Sequence, residues 1–336
     1  MITIVVSVYN TGKYLPRFMH SLSRQTCKDH EVIIVDDGST DSSSEICDSY
    51  ADTCKVIHQD NQGLSGARNT GLKHATGDFI IFPDPDDWLE ESYLETLLKN
   101  SDGNDLSICS YFDEMDGRQR KWDVSATRTV LTQKQAMKQA MLPSSFQGYA
   151  WNKLYRMDII RQHNLQFDTS LGMAQDLHFA ICYLMHCKQI LYDPIPLYHY
   201  NHDSGGVTAS YTPLTKRKLS CLLTYRKIIE LTNDTMPQIA DIARCSLCNT
   251  ALQYIYIYFR THMHDPQVLD LLQKTYIENE EIFLSSETYA RQDKMFSNIV
   301  KQSPYLYASL TRFKKIILNR FDPKIKRQWK KQGETS

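Results

Sequence analysis

Four apolar runs fill the first hundred residues, each closed by a polar turn and each followed by a stretch of helical spacing. No other feature of the chain constrains its fold as much. The β-branched run Ile2–Val8 precedes Tyr14, Leu15, Phe18, Met19 and Leu22, which recur on one helix face. Glu31–Val35 precedes a helical pattern over Ser42–Tyr50, and Lys55–His58 precedes one over Ser65–His74. Phe79–Phe82 precedes one through Leu89, Tyr93, Leu94, Leu97 and Leu98. Such β-α repetition lays successive strands side by side in parallel, with helices on both faces. The expected fold class is therefore α/β, Rossmann-like, with a mostly parallel central sheet flanked by helices.

Sheets of this build bind ligands beyond the carboxyl ends of their strands. The sequence places Tyr9-Asn10-Thr11-Gly12, Asp36-Asp37-Gly38-Ser39, Asp60-Asn61-Gln62-Gly63 and Asp84-Pro85-Asp86-Asp87 there. A dinucleotide dehydrogenase needs a glycine fingerprint after the first strand, and Tyr9-Asn10-Thr11-Gly12 is not one. Further on, Leu106–Phe112 reads as a strand, Asp113–Gly117 as a turn and Leu197–His202 as an edge strand. Leu177, Ala180, Ile181, Leu184 and Met185 form a helical face. From about residue 213 the pattern is mainly helical, broken near Pro237, Pro266 and Pro304. These shifts predict a domain over 1–210 and a helical extension over 211–336.

Charge divides the chain in a similar way. Residues 301–336 hold ten Lys/Arg against Asp322 and Glu334, and the remainder is mildly acidic. An acidic body is a poor nonspecific nucleic-acid binder, so no nucleic-acid partner is expected. Nine scattered cysteines without a preceding basic leader read as reduced thiols of a cytoplasmic protein. Cys245 and Cys248 have metal-ligand spacing, but their apolar helical setting reads as core. No run of ~20 apolar residues is present to span a bilayer.

The loop Phe82-Pro83-Asp84-Pro85-Asp86-Asp87-Trp88 brings three carboxylates close together. Like charges so crowded repel, and a divalent cation with hard oxygen ligands relieves them, Mg²⁺ or Mn²⁺ fitting best. The competing reading is an acidic turn whose Asp86 or Asp87 caps a helix starting near Leu89. Taken alone, the loop leaves the two even.

Other segments weigh on the choice. Val6-Ser7-Val8-Tyr9-Asn10, Gln25-Thr26, Val35-Asp36-Asp37-Gly38-Ser39-Thr40-Asp41 and Asn61-Gln62-Gly63-Leu64-Ser65-Gly66-Ala67-Arg68-Asn69 precede the acidic loop, as does Ala75-Thr76-Gly77-Asp78. In this order and spacing the sequence resembles the family-2 glycosyltransferases of the GT-A fold, densely over 1–100 and loosely over 101–210. The resemblance implies a UDP-sugar donor, a saccharide or glycolipid acceptor and Mn²⁺ or Mg²⁺ as cofactor. It implies that Val8, Tyr9 and Asn10 line the base, that Asp37 accepts the uracil imide N–H, and that Asn61, Gly63 and Arg68 lie along the nucleotide sugar. Asp84 would hold the ribose or donor sugar, Asp86 the metal, and Asp87 the metal or the sugar. A place in bacterial surface-polysaccharide or glycoconjugate assembly, on the cytoplasmic side, is also implied.

Transfer requires a base for the acceptor hydroxyl, and a positioned carboxylate suits that task. Asp176, in Met173-Ala174-Gln175-Asp176-Leu177-His178-Phe179, is the candidate, at a helix start whose dipole would keep it ionised. The competing reading is a plain helix cap. The family pattern has Glu-Asp here; Gln175 replaces that Glu and bears on acceptor contacts. An inverting displacement follows from the resemblance. Trp151-Asn152-Lys153-Leu154-Tyr155 resembles another family segment, with Trp151 as sugar platform or core and Lys153 approaching phosphate or acceptor. His199 or His202 would complete the metal shell if not structural.

Leu306, Leu310, Phe313, Ile317 and Phe321 form a stripe among Arg312, Lys314, Lys315 and Arg320, with Lys324, Lys326, Arg327, Trp329, Lys330 and Lys331 beyond. A basic amphipathic helix of this type lies on an anionic membrane surface or packs its stripe on the core; the membrane reading, peripheral on the inner face, is favoured here. The helical extension offers surface for a homodimer without a heptad pattern that compels one. The contrasting expectation for the whole chain is a noncatalytic sugar-nucleotide-binding or scaffolding subunit, with Gln175 marking lost activity.

Overall fold

Strand β1 (Ile2–Val8) is buried along its whole length, as a β-branched run covered on both faces requires. In the computed structural model, which describes residues 1–115, 117–122, 126–202, 213–289 and 294–321 with side chains through 314, β1 lies between β2 (His30–Asp36) and β4 (Phe79–Ile81). β3 (Lys55–His58) pairs outside β2. These four strands are parallel, in the order β3-β2-β1-β4.

Helices α1 (Leu15–Ser23), α2 (Ser43–Asp48), α3 (Gly63–His74) and α4 (Tyr93–Asn100) follow the strands in turn. Close approach of α3 to the sheet rests on Gly71, where an added Cβ would come within 2.2 Å of Val5 Cγ1. That contact sets the height of the helix carrying Arg68.

Beyond β4 the pairing is mixed within the same central sheet. β9 (Lys153–Arg156) is antiparallel to both β4 and β6 (Leu106–Met115), and β6 is parallel to β10 (Gln189–Asn201). β5 (Trp88–Leu89) and β8 (Thr129–Thr132) pair antiparallel with β10, and β7 (Arg118–Lys121) with β6. Leu197–His202 is thus no edge strand, because three strands bond to β10. Leu89 belongs to β5, since pairing of Trp88 and Leu89 with His199 and Tyr198 overrides the local helical spacing. Strand β6 runs through the expected turn at Asp113 as far as Met115.

Helices α5 (Gln133–Met141), α6 (Met157–Gln162) and α7 (Gln175–Leu184) complete the first compact unit, residues 1–209. The second unit, 210–336, contains α8 (Lys216–Thr232), α9 (Pro237–Arg260), α10 (Pro266–Ser285), a short 3₁₀ turn (Ser297–Lys301) and α11 (Pro304–Phe321). The three prolines that break the pattern each open a helix, where the missing N–H has no partner to lose. Cys245 and Cys248 are free thiols buried in this unit's core with Leu252, Ile255 and Tyr276. Among the described residues no helix is long and apolar enough to cross a membrane.

Candidate functional site

The loop after β4 is tied down from three directions. The Tyr198 hydroxyl donates to Asp87 Oδ2 at 2.6 Å and accepts from the Asp84 amide at 3.0 Å. Asn201 donates its amide to Asp87 Oδ1 (2.8 Å) and its side chain to the Asp86 carbonyl (3.0 Å). Arg17 lies 4.0 Å over the Trp88 ring and donates to the same carbonyl at 2.6 Å. Since α4 begins only at Tyr93, neither Asp86 nor Asp87 caps a helix.

The three carboxylates differ in what they have left to offer. Asp84 accepts from Arg68 Nη2 at 2.9 Å. Asp87 is buried with both oxygens already bonded, which corrects its expected metal contact: it anchors the loop. No described residue bonds the Asp86 carboxylate. Burial pushes Asp84 up to about 6 against the pull of Arg68, and repulsion from Asp86 and Asp176 adds to the rise. Burial, then Asp86 and Asp84, hold Asp87 well above the usual carboxylate range.

This donor set fits a hard divalent cation at Asp86, because an unbonded carboxylate there sits in a surplus of negative charge. Among the described residues no three His, Cys, Asp or Glu side chains form a ligand cluster. A cation held at Asp86 would need its remaining ligands from water and substrate oxygens, as Mg²⁺ and Mn²⁺ take them at phosphates.

Arg68 connects the acidic loop to α7. It is 2% exposed, its guanidinium lies 5.3 Å from the Phe167 ring, and its Nη1 has no hydrogen-bond partner. Asp176 sits one residue inside α7, behind Ala174 in the left-handed region at φ 57°. Its Oδ1 accepts the Leu177 amide at 2.9 Å, so it is not the cap of the helix. Burial raises the Asp176 carboxyl, while Arg68, the Leu177 amide and Lys153 oppose the rise. Burial is the largest influence on this carboxyl and acts against ionisation. A raised carboxyl is the better proton acceptor wherever it remains ionised.

On the opposite flank, Asp37 is buried and its Oδ1 accepts Gln59 Nε2 (2.7 Å) and the Gln62 amide (2.9 Å). No described residue bonds its second oxygen. Tyr9 is half exposed, whereas Val8 is fully buried, so its side chain lies in the core and does not line a base. Asn10, at φ 53°, accepts the Thr40 amide at 2.8 Å; its side chain joins the first loop to the second. Asn61 Oδ1 accepts the Gly63 amide at 3.2 Å. Gly63 has φ 76° and nothing within 4 Å of an added Cβ, so glycine serves the backbone turn there. A cavity of about 570 Å³ lined by Asp36, Gly38, Ser44, His58, Gln59 and Asp60 opens beside these loops.

Several expected contacts lie in the interior. Trp151 is 2% exposed and packs parallel to Tyr198, Tyr149 and Tyr200, which makes it core and no sugar platform. Lys153 is fully buried, and its ammonium donates to Gln147 O, Tyr149 O and Asn152 Oδ1 at 2.7–2.8 Å, so it reaches no phosphate or acceptor. Gln175 is buried at the start of α7. The ring of His199 stacks on Trp88 and Phe112, with Nε2 on Glu90 (2.9 Å) and Nδ1 on Glu114 (2.8 Å). Neither nitrogen is left for a metal. His202 Nε2 bonds Asp113. Arg17, which shapes the acidic loop, carried no signal in the sequence beyond an amphipathic helix, whereas Tyr198 and Asn201 fall in the run Leu197–His202, which loosely resembles a family strand and reads in the sequence as a strand without a role at this loop.

Residues 3–163 match the family described as "Glycosyl transferase family 2". EpsH of Bacillus subtilis (strain 168), a glycosyltransferase by name, is 37% identical over 217 residues, covering 62% of this chain and 63% of EpsH. The poly(ribitol-phosphate) beta-N-acetylglucosaminyltransferase TarP of Staphylococcus aureus (strain N315) is 29% identical over 56% of this chain and 58% of its own length. The chain thus spans less than two thirds of either relative. In fold, residues 1–349 of S. aureus TarS in complex with UDP-GlcNAc superpose with a TM-score of 0.59 at 19% identity, over 84% of this chain and 89% of that one. The mannosyltransferase PcManGT of Pyrobaculum calidifontis, in complex with GDP-Man and Mn²⁺, superposes with a TM-score of 0.53 at 16% identity, over 96% and 87%.

Proposed function

We propose, from the match of residues 3–163 to glycosyl transferase family 2, that the chain is an inverting glycosyltransferase using a UDP-sugar. It moves a hexose or N-acetylhexosamine to a hydroxyl of a saccharide acceptor: a lipid-linked oligosaccharide, a polysaccharide repeat unit or a glycoprotein glycan. The observation that carries the reading is the buried Arg68, paired with Asp84 and placed so that its charge acts on Asp176. It puts the loop that would hold the donor and the carboxylate that would take the acceptor's proton in one electrostatic cluster.

Asp37 offers its free oxygen to the imide N–H of uracil, which cytosine lacks, and Tyr9 presents the exposed ring beside it. Asp84, fixed by Arg68, faces the ribose or donor sugar. Asp86 would hold Mn²⁺ or Mg²⁺, which when bound would neutralise charge on the diphosphate. Asp176 takes the acceptor hydroxyl proton as the oxygen bonds to the anomeric carbon. The anomeric C–O bond breaks on the opposite face and its electron pair leaves with UDP, so an α-linked donor yields a β-linked product. Gln175 stands beside the base at the acceptor side. The basic end of the chain favours an anionic membrane surface, where lipid-linked acceptors reside. The setting that follows is bacterial polysaccharide assembly on the cytoplasmic face.

The test is a donor screen reading UDP release with Mn²⁺, Mg²⁺ or chelator. One UDP-sugar should be consumed, chelation should stop it, and Asp176→Asn should lose about a hundredfold or more in kcat while still binding UDP. Asp176→Asn turning over at the wild-type rate removes the base assignment. A wild type that binds UDP-sugar but never releases UDP, with any acceptor, favours the noncatalytic reading.

A further inference from the structure

A buried ammonium without a role in substrate contact lies next to the proposed base. Lys153 on β9 is fully buried, and its three donors meet three acceptors: Gln147 O at 2.8 Å, Tyr149 O at 2.7 Å and Asn152 Oδ1 at 2.8 Å. Asn152 is also fully buried and donates to Phe146 O (3.1 Å) and Cys109 O (3.3 Å). Together the two side chains grip the backbone of the strip 146–149. That strip is bent at Gln147, φ 57°, and pressed against α7 at Gly148. A Cβ added to Gly148 would lie 2.7 Å from Leu177 Cα. Leu177 follows Asp176 and donates its amide to that carboxylate.

Resting on the reading of Asp176 as base, we propose that Lys153 is a positioning residue for it. Its ammonium holds the 146–149 strip as a shelf against the first turn of α7, where Asp176 sits. An ammonium is otherwise a costly group to bury, and a neutral side chain would fill the space at less expense. Burial brings Lys153 down to about 7, with Asp176 and Cys109 working in the other direction. The charged or titratable groups acting on Asp176 are Arg68 from α3, Lys153 from β9 and Asp84 from the acidic loop, with Tyr149 and Tyr155 beside it.

The experiment compares Lys153→Met and Gly148→Ala with wild type and Asp176→Asn in the full chain. It reads melting, UDP binding, and kcat against pH. Both variants should keep UDP affinity and lose about tenfold or more in kcat, since small displacements of a reacting group are expensive. Only Lys153→Met should also move the acid limb of the kcat profile to higher pH: losing a nearby cation raises the Asp176 carboxyl, so ionised base appears later. A merely structural lysine would lower the melting temperature without moving that limb. A folded Lys153→Met with wild-type kcat and acid limb overturns the inference. If Lys153→Met does not fold, a folded Gly148→Ala with wild-type kcat overturns it instead. Asp176→Asn that remains active signals a different failure, that of the base assignment itself.

Discussion

Tyr198→Phe removes one oxygen atom and unties the acidic loop. The hydroxyl is fully buried, donates to Asp87 and accepts from the amide of Asp84, so the substitution leaves a carboxyl oxygen and an N–H without their partner. Each orphaned buried group costs about 1–3 kcal/mol, which sums to about 2–6 kcal/mol. Asp87 keeps its bond from the Asn201 amide, so the lower part of that range applies, at least about 2 kcal/mol. Tyr93→Phe is the matched control. Tyr93 is equally buried and tilted against Tyr198, but its hydroxyl makes a single bond, to the Trp151 carbonyl, so only one group is orphaned and about 1–3 kcal/mol is expected. Urea unfolding followed by tryptophan fluorescence reads the first unit, which contains Trp88, Trp122 and Trp151 of the four tryptophans. Titration calorimetry with UDP and Mn²⁺ then reads the loop, and should show weaker binding in Tyr198→Phe alone. Equal destabilisation by the two variants, with equal UDP affinity, refutes the argument that Tyr198 holds the loop.

Two other consequences are open to measurement. Hydrogen bonds donated by its ring to the Asp36 and Asp48 carboxylates raise His58 above its ordinary range, so the stability it contributes is complete below about pH 6.5 and lost as pH rises through its folded value. Unfolding free energy of the first unit should therefore decline in wild type as pH rises above about 6.5, and His58→Gln should flatten that decline; parallel slopes sink the claim. At the other end of the chain, replacing Lys324, Lys326, Arg327, Lys330 and Lys331 with Gln should abolish salt-sensitive sedimentation with phosphatidylglycerol vesicles, whereas equal sedimentation of variant and wild type excludes the membrane role.

The first four strands, and the loops that end them, were legible because β-branched runs closed by turn residues depend on local chemistry. Leu89 was misread because its pairing partners are Tyr198 and His199, and no local periodicity reports a strand more than a hundred residues away. The same distance hid the buried state of Trp151 and Lys153: residue type permits either surface or interior, and only packing decides. Asp87 looked like a ligand until Tyr198 and Asn201 were seen on its oxygens. For Asp176 the position at a helix start was legible, but its desolvation and the charges opposing it depend on neighbours from β9 and α3. In the tail, Leu306 and Phe313 are exposed and Leu310 half-buried, while Tyr307 and Ala308 are buried, so among the described residues the buried face of this helix is not the stripe. The side chains of Ile317 and Phe321, and residues 322–336 with Lys324 through Lys331, lie outside the described residues.

The antiparallel placement of β9 has a consequence for how the chain is made. As synthesis proceeds, β1 to β4 leave the ribosome with one side of β4 unpaired, because its second neighbour is Lys153–Arg156. At roughly 5–20 residues per second the ribosome needs several seconds to reach that segment. Through that interval a nascent parallel sheet presents a bare edge, the state in which sheets stick to one another. Expression yield should accordingly respond to translation speed between codons 82 and 153, and to chaperones that shield strand edges.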